Sequence, residues 1–233
     1  MKERSRIVVI IPAFNESDSI GKVVEDVPKD LVNEVIVVNN RSTDGTEENA
    51  AKAAATVLRE NQKGYGYACL KGIDYIKKLP EDQQPDIIVF LDGDYSDYPE
   101  DMHDLVTPIN ERNCDLVIGS RLSGERDTGS MLPQAVFGNW LAVTLIRLLY
   151  GIRFSDLGPF RAITFDQLLA LDMQDRTFGW TVEMQVKAAK KSLNCCEVPV
   201  RYRKRIGVSK VTGTIKGTVL AGYKILSTIF KYL

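Results

Sequence analysis

The chain has 233 residues, 44% of them hydrophobic and 26% charged, which suits one large α/β domain with a full core, or one domain plus a small appendage, and argues against a disordered protein. Its formal net charge of −1 argues against a nucleic-acid-binding protein, which needs a basic surface to neutralise phosphates. No stretch supplies the roughly 20 uninterrupted apolar residues of a membrane span, and the apolar run before Pro12 is too short for a signal peptide.

Charge and cysteine are both unevenly distributed. From residue 198 to the end there are eight Lys or Arg and no Asp or Glu, so the C-terminal end is strongly basic. The four cysteines, Cys69, Cys114, Cys195 and Cys196, lack metal-ligand spacing, and the adjacent pair is poorly placed for a structural disulfide. We therefore expect four reduced thiols in a cytoplasmic protein.

Strands and helices alternate in the first half of the chain. Short apolar runs predict buried strands at residues 7–11, 34–39, 56–58, 87–91 and 115–119. Helices are predicted at 19–26, between 46 and 55, from 66 to 78 and at 99–110, the first capped by Ser17 or Asp18. This order predicts a mostly parallel sheet with helices on both faces.

The second half begins with a polar, glycine-containing segment, residues 121–133, which we expect to form a loop over the ligand edge of the sheet. The remaining predicted elements are an almost wholly apolar helix at 134–150, helices at 165–171 and 178–191, an edge strand interrupted by Pro199 at 195–202, and a helix at 214–232. The expected fold is one α/β domain, residues 1–213, followed by an amphipathic C-terminal helix, residues 214–233.

The fourth predicted strand runs directly into Asp92 and Asp94, which are separated only by Gly93. Acids at the C-terminal edge of a parallel sheet lie where open α/β sheets bind their ligands. Two carboxylates at this spacing can hold one Mg²⁺ or Mn²⁺, which usually also binds substrate phosphates. We interpret the stretch as a metal–diphosphate site, with a plain acidic turn as the alternative.

Eight segments carry a family resemblance. In chain order they are IIPAFNE, NNRSTDGT, KGYG, LDGD, GSR, DLGPFRA, FGWTVEMQVKA and RIGVSK. Together they resemble the family-two inverting glycosyltransferases of the GT-A (Rossmann-like) fold, especially the branch of dolichyl-phosphate mannose and glucose synthases. The resemblance implies metal-dependent transfer of a hexose from a UDP- or GDP-sugar to a polyprenyl or dolichyl phosphate.

The resemblance also implies a nucleotide-sugar pocket at the ends of the first strands. Asn39 and Asn40 stand where the family usually has aspartates, and an amide both donates and accepts hydrogen bonds, so base preference cannot be inherited. Asp44 is a donor contact or a helix cap, and Lys63 a diphosphate contact or a solvated lysine. The implied donor-binding residues are Pro12, Ala13, Asn15, Glu16, Asn39, Asn40, Asp44, Lys63, Gly64, Asp92, Gly93 and Ser209.

The leaving diphosphate needs positive charge beside it. Arg205, Ser209 and Lys210 match the family's R-x-G-x-S-K loop, so the metal on Asp92 and Asp94 would act together with Arg205 and Lys210. A hydroxyl acceptor would need Asp156 or Glu183 as a base, whereas a phosphate acceptor needs none.

A guanidinium can grip an anionic acceptor through two bonds, which makes Arg121 the natural acceptor-binding residue. The other acceptor-binding candidates are Arg126, Arg161 and Trp180. Trp140 is expected to pack in the core. The alternative for Trp180 is that it also packs in the core and does not contact the acceptor.

Three alternative functions stay open. They are transfer to a glycan or small-molecule hydroxyl, a sugar nucleotidyltransferase, and a non-catalytic nucleotide-sugar-binding module. A nucleotidyltransferase should have a glycine-rich basic loop after the first strand, and residues 12–16 are not one. Only Asn39 and Asn40 suggest a non-catalytic module, and the intact acids and basic loop speak against it.

The C-terminal helix carries lysines along one edge, Lys216, Lys224 and Lys231, and gathers Ile215, Val219, Leu226, Ile229, Phe230 and Leu233 on another face. It either docks on the domain or lies in the membrane interface. In the second interpretation the 134–150 helix completes the membrane-facing surface, and the protein is peripheral at the inner face of the membrane. The expected partners are a nucleotide sugar, a lipid phosphate and this membrane surface, but no nucleic acid; a homodimer is left open.

Overall fold

The computed structural model describes residues 5–207 and 215–233, and within them the chain forms a seven-stranded sheet. The strands are β1 Ile7–Ala13, β2 Glu34–Asn39, β3 Thr56–Arg59, β4 Ile87–Phe90, β5 Leu116–Ser120, β6 Arg161–Thr164 and β7 Cys195–Pro199. Their order is β3-β2-β1-β4-β6-β5-β7, and only β6 runs antiparallel to its neighbours. The mostly parallel sheet confirms the sequence prediction.

Helices lie on both faces of this sheet. Within the described residues they are α1 Ile20–Glu25, α2 Thr46–Lys52, α3 Tyr65–Ile76, α4 Met102–Arg112, α5 Pro133–Tyr150, α6 Phe165–Leu171, α7 Trp180–Lys190 and α8 Ile215–Lys231, with 3₁₀ turns at Glu81–Gln83 and Pro99–Asp101. Along β1, Val8 and Ile10 pack in the layer of α3, α5, α6 and α7, whereas Val9 and Ile11 pack in the layer of α1 and α4. Burial on both faces explains the continuous apolar runs of the strands.

Most predicted elements agree with the structure, and the differences have local causes. β2 and α6 have the predicted bounds, and β7 lies at the predicted sheet edge. The N-cap of α1 is Ser19, without a side-chain capping bond, rather than Ser17 or Asp18. α2 ends three residues earlier than predicted because the chain turns at Ala54, which has a left-handed φ of 67°.

The prediction of four reduced thiols is wrong for one pair. A disulfide joins Cys114, just before β5, to Cys196 on β7, while Cys69 and Cys195 are free. The two bonded cysteines are 82 residues apart, and only the parallel pairing of β5 with β7 brings them together. Sequence spacing alone could not reveal this pairing.

The C-terminal helix α8 docks on the domain against α5 and α7. Its Ile229 is completely buried, and the Lys224 ammonium pairs with the Asp175 carboxylate at 2.8 Å. Among residues 5–207 and 215–233, no helix combines the length and apolarity that crossing a membrane requires.

Candidate functional site

The C-terminal ends of β1, β2 and β4 bring polar residues together at one edge of the sheet. Ala13, following Pro12 at the end of β1, is opposite Asn39, and the Asn40 amide nitrogen donates to the Ala13 carbonyl at 2.8 Å. β4 lies on the other side of β1 and leads into Asp92. Residues distant in sequence thus line the edge where open α/β sheets bind ligands.

The two asparagines hold the loops of this edge in place. The Asn39 side chain accepts from the Ser42 amide at 2.9 Å and donates to Glu47 at 2.8 Å. Asn40 donates to the Gln62 carbonyl at 2.7 Å and accepts from the Gly64 amide at 2.8 Å. Both side chains therefore organise the loops at this edge of the sheet.

The loops after β1 and β2 are interlaced. Asn15 accepts a hydrogen bond from the Thr43 amide at 2.8 Å, and the Glu16 amide donates to the Thr46 hydroxyl at 2.8 Å. Asp44 accepts from the amide of Thr46, the first residue of α2, so it acts as a local cap as well as a loop residue. These bonds fix the predicted nucleoside side of the pocket.

The start of α3 adds Lys63 and Tyr65 to the same edge. The Lys63 ammonium lies 4.3 Å from the centre of the Phe14 ring, a cation–π contact. The Tyr65 hydroxyl donates to Asp92 Oδ1 at 3.0 Å. Gly64 has no space for a side chain, because the Arg176 carbonyl packs against it. Tyr65 is thus a site residue that was not singled out from the sequence.

Asp92 and Asp94 lie in a tight turn after β4. Burial and then the charge of Asp94 raise the pKa of Asp92 to about 6. Asp94 Oδ1 accepts from the Ser96 amide at 2.9 Å and the Ser96 hydroxyl at 2.5 Å, while its other oxygen pairs with the Arg205 guanidinium. The Gly93 carbonyl accepts from the Ser19 hydroxyl at 2.8 Å, which anchors the turn to α1.

The basic segment after β7 lies along this acidic turn. The Arg203 amide donates to the Ser96 carbonyl at 2.8 Å, and the Ile206 amide donates to the Asp94 carbonyl at 2.9 Å. These two bonds align Arg205 with Asp94. The other two predicted residues of the basic loop, Ser209 and Lys210, lie outside the described residues.

The acids fit a divalent cation shared with a diphosphate. Carboxylate oxygens are the ligands that Mg²⁺ and Mn²⁺ prefer, and Mg²⁺ is commonly held by one or two carboxylates plus substrate phosphates. In the part of the chain that the structure describes, no three acidic, histidine or cysteine side chains converge on a metal position. Asp92 and Asp94 would therefore supply part of a coordination shell that phosphate oxygens and water complete.

Asp97 is a further candidate that the sequence analysis missed. It is 2% exposed, and among residues 5–207 and 215–233 no group donates a hydrogen bond to either of its carboxylate oxygens. Burial, followed by the negative charges of Asp92 and Asp94, raises its pKa well above the usual range. An unpaired buried carboxyl beside other acids is more typical of a functional site than of a structural one. Its only sequence signal is its position three residues after Asp94.

Asp156 orients Arg121 on the other side of the acidic turn. The Arg121 guanidinium donates to Asp156 Oδ2 at 2.8 Å and to Oδ1 at 2.7 Å. Its central carbon lies 5.2 Å from the centre of the Tyr202 ring, a cation–π contact. Burial would raise the pKa of Asp156, but the Arg121 charge outweighs it and lowers that pKa. Asp156 is therefore a partner of Arg121 rather than a free base.

Glu183 does not fit the predicted role of a catalytic base. Its carboxylate is completely buried, accepts from the Gln174 and Asp175 amides, and pairs with Lys187 at 2.8 Å. The Tyr232 hydroxyl of α8 donates to it at 2.5 Å. Its position on the inward face of α7 makes it an anchor for neighbouring segments.

Arg161 and Trp180 likewise belong to the interior, which does not fit the predicted acceptor contacts. The Arg161 guanidinium donates to main-chain carbonyls, including Thr181 at 2.9 Å, and burial lowers its pKa to about 10. Trp180 is 1% exposed and packs edge-on against Phe90 at 5.8 Å between ring centres. Trp140, expected in the core, is instead more than half exposed. Arg126 is exposed in the 121–133 loop, where its backbone bridges to Tyr202.

Comparison with known proteins shows the family of the chain. Residues 8–168 match Glycosyl transferase family 2. The undecaprenyl-phosphate mannosyltransferase of Micrococcus luteus is 29% identical over 227 residues, covering 91% of this chain and 90% of that protein. The dolichyl-phosphate hexose transferase of Haloferax volcanii is 29% identical over 208 residues, covering 88% and 86%. Glycosyltransferase AglJ of the same organism is 30% identical over 201 residues, which are 85% of this chain but only 63% of AglJ.

The fold also has solved counterparts. Glucosyl-3-phosphoglycerate synthase from Mycobacterium tuberculosis, in complex with Mn²⁺, UDP and phosphoglyceric acid, has a TM-score of 0.76 over 98% of this chain and 78% of that one, at 20% identity. At this identity the likeness establishes the fold alone. The family match and this likeness in fold together identify the chain as a glycosyltransferase of family 2 with the GT-A fold.

Proposed function

We propose that the enzyme transfers a hexose, with inversion, from a nucleotide-diphosphate sugar to a polyprenyl phosphate, and that it needs Mg²⁺ or Mn²⁺. The observation that carries the proposal is the placement of cationic side chains around the acidic turn: Arg205 pairs with Asp94, and Asp156 orients Arg121. The two relatives named for lipid-phosphate acceptors support this acceptor class.

On the donor side, Asp92 and Asp94 would hold the metal, which would supply positive charge for the leaving diphosphate. The Tyr65 hydroxyl fixes the orientation of Asp92, and the Ser96 amide and hydroxyl fix Asp94. Arg205 adds a guanidinium beside the turn, where negative charge grows on the departing nucleotide. Ser209 and Lys210 extend this basic segment by family resemblance.

On the acceptor side, Arg121 binds the phosphate. A guanidinium has five N–H donors, and the Asp156 carboxylate occupies two of those of Arg121 in a fixed orientation. A phosphate is already an anion and needs no base. The two bases predicted for a hydroxyl acceptor, Asp156 and Glu183, are both occupied by other partners, which favours the phosphate.

A hydroxyl acceptor is the second candidate, and Asp97 is the observation that favours it. Its carboxylate has no hydrogen-bond partner within the described part of the chain, and its raised pKa suits a group that takes up a proton. Asp97→Asn separates the two candidates, because it should abolish transfer to a hydroxyl and leave transfer to a phosphate largely intact.

The test is transfer of labelled sugar into an organic phase. The enzyme is incubated with radiolabelled UDP- and GDP-sugars, undecaprenyl phosphate and Mn²⁺, and the lipid is then extracted. We expect one of the donors to transfer label into the organic phase. Chelation of the metal should abolish this transfer, and Asp94→Asn should reduce it about 100-fold. Lys29→Gln, a surface charge removal distant in sequence from the site, is the control. Label that enters only a water-soluble hydroxyl acceptor would overturn the proposal.

A further inference from the structure

Helices α5 and α8 leave a large apolar surface exposed. Phe137, Trp140 and Leu148 of α5 are each more than half exposed, as are Val219, Tyr223 and Phe230 of α8. At 100° per residue, the first three fall within about 80° of one another and the second three within about 40°. Helices α5 and α8 pack against each other, so both stripes belong to one packed pair of helices. Single exposed apolar residues are ordinary, but a stripe of three large ones on each of two packed helices marks an interaction surface.

Helix α8 has two apolar faces rather than one. Ala221, Thr228 and Ile229 are buried against the domain, while Val219, Tyr223 and Phe230 point away from it. The helical pattern predicts Ile229 and Phe230 on the same face, which is wrong for Ile229, since it is buried while Phe230 is exposed. Docking on the domain explains only the buried face, so the second apolar face needs a different partner.

We propose that this α5–α8 surface rests on an anionic lipid bilayer, an inference that builds on the proposed function. Neither helix contains Asp or Glu, and the exposed cations Arg147 and Lys231 belong to them. Apolar side chains at the acyl boundary, aromatic rings at headgroup depth and cations near lipid phosphates are the arrangement of an interfacial helix. A symmetric contact with a second copy would instead bring like charges together, with no acid on either helix to pair them.

The same surface is connected to the acceptor-binding residues. Asn139, next to the exposed Trp140, is buried and donates to the Ser155 carbonyl at 3.2 Å. Its side-chain oxygen accepts from the Leu157 amide at 2.8 Å. The residue between them, Asp156, orients Arg121. One turn of α5 thus connects the apolar surface with the group that would bind a lipid phosphate, which favours the bilayer holding that acceptor over an unrelated protein.

The experiment is sedimentation of the whole chain with vesicles of phosphatidylcholine alone or mixed with phosphatidylglycerol. We expect wild type to pellet with the mixed vesicles at low salt and to be partly released at high salt. Phe137→Ser/Phe230→Ser should weaken binding at least about tenfold, because two large apolar side chains no longer enter the lipid. Leu169→Ser, at an exposed leucine of α6 outside the surface, should bind like wild type. Unchanged thermal unfolding of both variants shows that they fold.

A parallel assay with a water-soluble, short-chain prenyl phosphate separates this inference from the proposed function. If wild type uses that acceptor but stays in the supernatant with anionic vesicles, the bilayer proposal is overturned and the function stands. If vesicle binding follows the predicted pattern but no prenyl phosphate is glycosylated, the surface stands and the function fails. A dimer that Phe137→Ser/Phe230→Ser dissociates, without any vesicle binding, would assign the surface to a second copy and also overturn the proposal.

Discussion

Asp92 shows how a binding residue can reduce the stability of the free protein. Its pKa is raised to about 6 in the folded chain, first by burial and then by Asp94, from an ordinary value of 3.8. Between these two values the folded chain binds more protons than the unfolded one, so stability falls as the pH rises from about 4 to 6. Above pH 6 the destabilisation by the charged carboxylate is complete.

We therefore predict that Asp92→Asn stabilises the metal-free protein at pH 8 by on the order of 2 kcal/mol, a shift of several degrees. The difference should shrink as the pH falls from 6 towards 4, because wild-type Asp92 becomes neutral. Thermal unfolding in EDTA across this pH range measures it. A variant less stable than wild type at pH 8 would contradict the assigned burial and charge repulsion.

Arg121 gives a prediction about specificity. Arg121→Lys keeps the charge but loses the planar fork that pairs with Asp156, so the cation should no longer be aimed at the acceptor. We expect kcat/KM for the phosphate acceptor to fall about 100-fold, while the metal-dependent thermal shift by the donor nucleotide stays unchanged. An equal loss of donor binding would show that Arg121 serves the diphosphate instead.

Individual residues were predictable from sequence where their place on a strand decided their position. Asp92 and Asp94 had to reach the ligand edge because they follow a buried parallel strand. The burial of Glu183 and Trp180 was not predictable, because residue type and helical position do not show which face of α7 is turned inward. Asp97 was missed because its unusual property, a buried carboxylate without a hydrogen-bond partner among the residues that the structure describes, exists only in the folded chain.

At the scale of elements, α5 joins the acceptor site to the exposed apolar surface through Asn139. Asn139→Leu would leave the Ser155 carbonyl and the Leu157 amide without their buried partner, which costs about 1–3 kcal/mol. We predict that denaturant unfolding will show this decrease in the free energy of unfolding. The KM for the acceptor should rise, and the thermal shift induced by the donor should stay unchanged. Thr144→Leu on the same helix is the control. Unaltered acceptor kinetics in Asn139→Leu would disconnect α5 from Arg121.

The disulfide between the start of β5 and β7 gives a second prediction at this scale. Protein denatured without reductant should present two titratable thiols, and reduction should lower stability by about 2–4 kcal/mol, because the crosslink restricts the unfolded chain. In the folded protein Cys195 should react slowly with thiol reagents, since burial raises its pKa to about 12. Four thiols in the denatured, unreduced protein would contradict the bond.

The elements best predicted from sequence were the long apolar strands and the helices between them. β6 was missed because it has only four residues, begins with the charged Arg161 and runs directly into α6. The exposed side of α5 could not be predicted either, since a helix that is apolar almost all round does not indicate which face is covered. Packing against α7 and α8 decides that face.

Across the whole molecule, different strands supply the donor-binding and the acceptor-binding residues of the proposed reaction at one edge of the sheet. Strands β1, β2 and β4 bring the donor residues, the segment after β7 brings Arg205 to Asp94, and the end of β5 brings Arg121. Helix α8 packs on α5 and α7, so the exposed apolar surface belongs to the same domain as the proposed acceptor residue Arg121. The order of elements was readable from the sequence, but the meeting of these distant segments depends on strand order and on the antiparallel insertion of β6.

The most direct test of the central claim is the chemistry of the isolated product. If a prenyl phosphate oxygen displaces the nucleoside diphosphate from the anomeric carbon, the sugar is joined through a phosphodiester, with the anomeric configuration opposite to that of the donor. We predict that NMR of the extracted lipid will show a sugar phosphate with inverted anomeric configuration, and that mild acid will release the free sugar. An acid-stable glycoside on a hydroxyl, or retention of the donor configuration, would contradict phosphate attack at this site.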